Sequence, residues 1–375
     1  MRNPGFLIAL MLAGCAPDIS GTYSLEVTDF ARAETGLLEL VGSGEDVFGR
    51  LTLQSDPPRV YALGLRQSNQ DSLYFTLGSN GFLVLRTDST GRFKYFGVDA
   101  GIRARRSGSP PADLEALVEL KPLFSTPDTD DSWPTVSPDG ATMLFSRGVI
   151  MERSLRGTEW SEPDTAGFSI PGDAAPRFAP DGSWVLFDSS RPNPAYPEPV
   201  RRRDLWRVDR LSQGGWGEVS ALPHPINVDS VSDYHGAVAT SGAVYFSSFG
   251  RAGGSGRSDV FRGDASGVTW LGPTLNTDAS EPDIFVDPAE RYLILVSAGL
   301  EGAQEDDLFL VPREGAGWGA PARLSAPVNS FAFDYGAWVD PSGGWLYFNS
   351  FRRGSSDIYR VPLSDIPELA ARISP

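Results

Sequence analysis

The chain is poor in the residues that carry most covalent and metal chemistry. Its 375 residues hold a single cysteine, Cys15, and two histidines, His224 and His235. One cysteine excludes an internal disulfide and a thiolate metal cage, and no His-Glu-x-x-His pair is present to hold zinc. A Gly-x-Ser-x-Gly elbow and a phosphate-cradling Gly-x-x-x-x-Gly-Lys loop are also missing. Beyond the extreme N-terminus no apolar run is long enough to cross a bilayer. Positive charge is scarce as well: 32 Lys and Arg stand against 48 Asp and Glu, a formal net charge of −16. Such a balance argues against nucleic-acid or anionic-lipid partners, both of which need basic patches.

What is present begins at the N-terminus. Met1-Arg2 precedes the apolar run Gly5 to Leu12 and the small residues Ala13-Gly14. That is the make-up of a secretory signal, too short for a spanning helix. Leu12-Ala13-Gly14-Cys15 resembles the lipobox of bacterial lipoproteins. The resemblance implies that residues 1–14 are removed and that Cys15 is acylated, anchoring the protein to a membrane without spanning it. Ala16, where an Asp would signal retention, resembles outer-membrane sorting. It implies a cell-envelope protein, in the outer membrane and facing the periplasm or the surface.

Five repeats follow. In each, an acidic residue stands nine positions before a turn position: Asp131 to Gly140, Asp173 to Gly182, Asp233 to Gly242, Glu281 to Glu290 and Asp334 to Gly343. An apolar strand comes next, for example Trp184-Val185-Leu186-Phe187 or Trp345-Leu346-Tyr347-Phe348. Four copies then reach an Asp before an apolar and an aromatic residue, at Asp204, Asp259, Asp307 and Asp357. Four strands per unit of about fifty residues predict the blades of an all-β propeller, since one blade cannot bury both its faces. Phe246 to Phe261 and Phe348 to Tyr359 share the form Phe-x-Ser, then Arg, Gly and Asp-apolar-aromatic. This resembles the TolB-like (WD40-like) propeller repeats of the bacterial envelope, and the resemblance covers roughly residues 115 to 365. It implies a propeller and says little about activity. Five blades are expected over 117–365, with Leu117 to Phe124 serving as the fourth strand of the last blade and so closing the ring. A sixth blade would have to lie in the N-terminal region, where no repeat occurs. Residues 366–375 remain as a tail.

Residues 15–107 carry no propeller repeat. Alternating segments at Ile19–Val27, Gly36–Val41, Val47–Leu53, Tyr61–Leu65, Ser72–Leu77, Gly81–Arg86 and Phe93–Gly101 predict a small β domain, a lipocalin-like meander or barrel of six or seven strands. It is read either as a packed module or as a binder of an apolar ligand. Residues 108–116, rich in Ser, Gly and Pro, read as the linker.

Candidate site residues come from the repeats. Asp131, Asp173, Asp233, Glu281 and Asp334 fall on the strands expected to line the channel, with His235 beside them. As a ring at the channel mouth they have the chemistry to grip a basic peptide or a hard cation such as calcium. Read structurally, each acid binds turn amides within its own blade. The second Asp set reads as bracing the loop into the third strand, against Arg191, Arg251 and Arg352. The acid runs at 128–131 and 305–307 read as solvated loops, and the repeat-locked tryptophans as blade packing. With no catalytic motif, the expectation is a lipid-anchored, non-enzymatic scaffold that binds an envelope protein or peptide and needs no cofactor. The rivals are a cation- or small-ligand-binding module and a carbohydrate-active or hydrolytic propeller using channel carboxylates such as Asp131 and Asp334.

Overall fold

A computed structural model describes residues 19–373, apart from 28–33, 45, 56–57, 69–71, 78–80, 87–89, 96–97, 125–128, 197–201, 230, 256 and 343. The signal segment and Cys15 therefore lie outside the described residues. The fold is all-β. The chain divides into two compact units: residues 1–130 with 330–333 and 350–357, and residues 131–329 with 334–349 and 358–375.

The first unit is built on a closed barrel. Its strands are β1 (Gly21–Val27), β2 (Glu34–Ser43), β3 (Asp46–Leu53), β4 (Arg59–Ser68), β5 (Ser72–Leu77), β6 (Gly81–Arg86), β7 (Thr90–Tyr95) and β8 (Val98–Gly108). Each pairs with the next, and β8 returns to β1, so no edge is left open. Strict alternation places Tyr23, Leu25, Val27, Leu83, Leu85, Phe93 and Ile102 in one buried core inside the barrel, while the residues between them face out. The interior is filled by side chains, the packed-module alternative. The segment from Phe93 to Gly101, expected as one strand, is a hairpin: Tyr95 pairs with Val98, and β7 and β8 run antiparallel. Apolar alternation continues through both arms, so periodicity alone does not reveal the reversal.

The segment 117–124 also departs from expectation. Residues 112–115 form a single helical turn, α1 (Ala112–Glu115), and 117–119 form turn and bend rather than a strand. Leu114 and Leu117 are buried with Val41, Phe48, Phe331 and Ala332 in a second cluster of the same unit. Only Phe124 of the expected strand takes part in a β-bridge. Burial of these leucines outweighs the strand pairing that their β-prone context suggests.

The second unit is a five-bladed propeller. Blade one comprises β9 (Ser132–Val136), β10 (Thr142–Ser146), β11 (Ile150–Arg156) and an outer strand split into β12 (Glu159–Trp160) and β13 (Asp164–Thr165). Blade two comprises β14 (Ala174–Phe178), β15 (Trp184–Ser189), β16 (Asp204–Arg210) and β17 (Trp216–Ala221). In blade three these become β18 (Ser232–Val238), β19 (Val244–Phe249), β20 (Ser258–Asp264) and β21 (Gly267–Trp270). Blade four holds β22 (Asp283–Val286), β23 (Tyr292–Ser297), β24 (Asp307–Glu314), β25 (Gly317–Trp318) and β26 (Ala322–Arg323). Blade five holds β27 (Asp334–Val339), β28 (Trp345–Ser350) and β29 (Asp357–Pro362), and a short helix, α2 (Pro367–Ile373), follows. The first strands neighbour one another in cyclic order β9, β14, β18, β22, β27 and back to β9.

Two devices hold blades in register. The first is the tight turn between strands one and two, where Gly140, Gly182 and Gly242 take φ of 69°, 70° and 83°. Blade four has Glu290 there instead, at φ 55°, a conformation that costs a side-chain-bearing residue of order 1 kcal/mol. Its carboxylate accepts from Tyr245 Oη (2.5 Å) and Ser241 Oγ (2.8 Å), which offsets that cost. The second device is an asparagine after the fourth strand. Asn227 accepts from Leu205 N–H (2.8 Å) and donates to Leu205 O (2.9 Å) and Leu222 O (2.7 Å). Asn329 does the same for Leu308 and Leu324, and Asn276 for Val260. Apolar faces then stack blade on blade: Leu186 and Leu205 of blade two pack with Val244, Phe246 and Phe261 of blade three. Replacing fully buried Asn227 by Ala leaves a buried N–H and two carbonyls without their partner. Urea unfolding of Asn227→Ala is expected to show a loss of about 2–3 kcal/mol.

Candidate functional site

The ring acids are not turned toward a ligand. Asp131, Asp173, Asp233, Glu281 and Asp334 are each at most 1% exposed. Arg147 grips Asp131 through both carboxylate oxygens, at 2.6 and 2.8 Å. Arg191 holds Asp173 in the same two-pronged way, and Asp173 also accepts from Ile170 N–H. Asp233 accepts from Arg251 (2.8 Å), Ser248 Oγ (2.6 Å) and Val228 N–H (3.1 Å). Blade four has Gly299 where the others carry the arginine, and Glu281 accepts from Thr277 and Ser297 hydroxyls instead. Burial raises the carboxyl pKa of both Asp233 and Glu281 against these bonds. Arg147, Arg191 and Arg251 thus serve the first set of acids; for Arg191 and Arg251 this is not the second set that their place in sequence suggests. Asp204, Asp259 and Asp307 instead bind the loop before their own strand, through Asn193 Nδ2, Ser255 N–H and Gln304 N–H, and Asp307 also pairs with Arg323. Among the described residues no three acid, histidine or cysteine side chains converge as a metal site. Asp131 and Asp334, the carboxylates named for a glycosidase-like reaction, are not on an accessible surface.

The functional geometry lies two residues further along each first strand. Trp133, Ala175, His235 and Gly336 occupy that position in blades one, two, three and five, and all have left-handed backbone, with φ of 51°, 49°, 46° and 69°. In the first three blades the ladder register slips at this point, the mark of a β-bulge. The bulge turns each N–H out of its own sheet and onto the preceding blade. Trp133 N–H donates to Asn349 Oδ1 (2.7 Å), Ala175 N–H to Ser146 Oγ (2.9 Å) and His235 N–H to Asp188 Oδ2 (3.0 Å). Asn349 Nδ2 also donates to Asp131 O, and Ser132 Oγ meets Tyr335 Oη at 2.8 Å, so blade five is tied to blade one. Blade four places Asp283 at the equivalent position, and its Oδ2 accepts from Gly336 N–H (2.9 Å) and Trp133 Nε1 (3.0 Å).

Strained bulky residues mark sites where the surroundings over-determine the backbone. Here they bring two rings together: Trp133 and His235 stand 4.5 Å apart between centroids, with Tyr234 edge-on to His235 at 4.8 Å and Tyr335 edge-on to Trp133 at 5.3 Å. Trp133, Ala174, Arg203, Ser232, Tyr234, His235 and Phe249 line a cleft of about 330 Å³. Phe249 is 56% exposed at its rim. His235 Nδ1 lies 2.6 Å from Pro282 O. A carbonyl only accepts, so Nδ1 carries the proton, while Nε2 lies 3.8 Å from Asp188 Oδ2. Beneath the cleft, buried Asp188 binds Arg203 Nε at 2.5 Å, which neutralises much of that cation. Burial holds the Tyr234 phenol above its ordinary pKa, so it stays neutral. Deeper still, Arg177 is fully buried and donates to Pro134 O, and its Nη2 lies 3.9 Å from Asp283 Oδ1.

His235 alone of the named candidates lines this cleft. Trp133 was read as packing, and Arg203, Ser232, Tyr234 and Phe249 were not singled out. The signal available in sequence was positional: the residue two after each ring acid is glycine in blade five, the residue that left-handed backbone favours.

No family model matches the chain, and no curated protein matches it. Among solved structures it is similar to a protein of Agrobacterium tumefaciens assigned as TolB, at 18% identity over 61% of this chain and 73% of that one, TM-score 0.41. It is similar to an oligogalacturonate lyase of Vibrio parahaemolyticus at 11% identity, covering 92% and 99% of the two chains, TM-score 0.33. A third is an α-L-arabinofuranosidase of Fusarium graminearum in complex with arabinobiose, at 10% identity over 94% and 96%, TM-score 0.36. Two of these three are enzymes by name, against the expectation that a chain of this make is not an enzyme, and that expectation does not stand.

The acid run at 305–307 splits in the structure. Asp307 is buried in its ion pair, whereas burial together with Glu305 and Asp307 pushes the Asp306 carboxyl up to about 6. A raised carboxyl pKa means that the folded state binds the proton more tightly. Stability therefore falls as pH rises through the window from about 4 to 6. Asp306→Asn is expected to raise the thermal midpoint at pH 7.5, by a stability gain of about 1 kcal/mol after solvent screening. The gain should vanish below pH 4, as calorimetry across that range would show.

Proposed function

We propose that this chain is a lipid-anchored protein of the bacterial cell envelope, held in the outer membrane through Cys15, whose propeller binds a peptide segment of another envelope protein. The observation that carries the binding reading is the pair of left-handed residues Trp133 and His235, whose rings meet at 4.5 Å in the floor of the cleft. Holding two bulky residues there costs of order 1–3 kcal/mol each, and the backbone contact between blades does not need a ring, since Ala175 and Gly336 make it too; Trp133 Nε1 and His235 Nδ1 each spend one ring atom on blade four and leave their faces to the cleft. The lining favours a peptide over a sugar. It contains no Asp, Glu, Asn or Gln to meet the many hydroxyls of a glycan. What it offers is aromatic faces, one imidazole, the hydroxyls of Ser232 and Tyr234 and the Arg203 guanidinium, suited to an aromatic side chain and its neighbouring amide.

Two experiments test the two halves of this reading. Phage-displayed peptides selected on the propeller face should converge on an aromatic-containing motif, and Phe249→Ala should weaken the selected peptide about tenfold. Selection of no motif, or equal binding by Phe249→Ala, would count against the cleft. For the anchor, cells labelled with palmitate should incorporate label into the wild-type chain and none into Cys15→Ser, which should fractionate as soluble protein.

A further inference from the structure

The net charge of −16 conceals a local reversal. Residues 81–108, which form β6, β7 and β8, hold six Lys and Arg against two Asp. Their inward residues Leu83, Leu85, Phe93, Ile102 and Ala104 are in the barrel core, so the cations are displayed on the outer wall. Arg86, Lys94, Arg103 and Arg105 are all exposed, and none makes an ion pair or hydrogen bond among the described residues. Register gathers three of them. Arg86 ends β6 beside Thr90, the β7 residue that pairs with Arg103 on β8, and Arg105 follows two residues later on the same face. Glu26 is the one acid of β1 opposite this row, facing Arg103, and Ser24 faces Arg105. Further along the wall, Tyr74 of β5 stacks on Phe82 of β6 at 5.7 Å, and Tyr74 is 37% exposed.

Like charges this close on a sheet face repel, and the fold gains nothing from them. Their placement gives them a use. β8 pairs with β1 so that Arg106 lies opposite Tyr23 and Gly108 opposite Thr22, which puts the basic end of the wall where the chain enters the barrel at Gly21. Gly21 lies only six positions after Cys15. An acylated Cys15 holds that end within about 20 Å of the bilayer, the reach of an extended six-residue chain.

We infer that the outer wall of β6, β7 and β8 docks on the anionic phospholipid headgroups of the membrane to which the chain is tethered. The cations supply the attraction and outnumber the acids beside them, Glu26 opposite Arg103 and Asp99 opposite Lys94, while the Tyr74–Phe82 pair suits the headgroup level where aromatic rings settle. An acyl chain and a basic surface are the two signals that stable anchoring needs.

The inference rests on the anchor reading for the nearness of the membrane, and its test is independent of acylation. The mature chain carrying Cys15→Ser is floated with phosphatidylcholine vesicles containing, or lacking, about a third phosphatidylglycerol. Binding is expected to the anionic vesicles alone and to disappear in high salt. Arg86→Gln/Arg103→Gln/Arg105→Gln should bind about a hundredfold more weakly, roughly fivefold per cation. These side chains are exposed, so its thermal midpoint should match the parent. Equal binding to both vesicle types, no binding to either, or full binding by the triple variant overturns the inference. Absence of palmitate label on the wild-type chain would instead overturn the anchor while leaving the vesicle result to be read on its own.

Discussion

The hydrogen bond from the bulged first strand of one blade to a polar side chain on the second strand of the blade before it is the constraint on which the propeller depends. Stacking of apolar faces supplies most of the energy but is indifferent to small slides and rotations. A donor at Trp133, Ala175 or His235 that must reach Asn349 Oδ1, Ser146 Oγ or Asp188 Oδ2 fixes the angle at three of the five blade junctions to within a hydrogen bond's tolerance. Because these groups are buried, leaving one unmade costs its full desolvation, so the left-handed backbone is tolerated. The same bulges carry Trp133 and His235, whose rings meet in the cleft. Architecture and site geometry therefore share one cause.

Charge is managed by the same economy of position. Each blade's leading acid is removed from solvent and, in three blades, bonded by an arginine from the end of the second strand. Such a pair makes a modest net contribution to stability but strongly penalises any arrangement that separates its members. It locks the strand-two exit onto the strand-one entry, while the second acid and the asparagine clamp lock the third strand. In the barrel the logic is reversed: Arg86, Lys94, Arg103 and Arg105 stand exposed on an outer wall and make no ion pair among the described residues. Net charge, which averages the two units, describes neither.

The sequence was informative where the physics is periodic. Alternation of apolar and polar residues and the nine-residue step from acid to turn were enough for strand positions, blade number and the presence of a separate small β domain. It misled where two elements share one pattern. The β7–β8 hairpin continues the alternation through its reversal, and Leu117 reads as strand while packing with Phe331, more than two hundred residues away. Arg191 and Arg251 sit between two acids in sequence, and proximity along the chain pointed to the following Asp; the hairpin geometry of strands one and two brings them to the preceding one.

By itself, then, the chain determined an all-β fold of repeated blades, because side-chain period and turn chemistry are local properties written residue by residue. Only the tertiary structure decided which acids are spent on internal pairing and which aromatic residues meet in a cleft. Trp133 and His235 lie about a hundred residues apart, and their rings meet only when blades one and three are set around a common axis. That meeting depends on closure of the ring and on a backbone twist at a single residue per blade, neither of which leaves a period in the sequence.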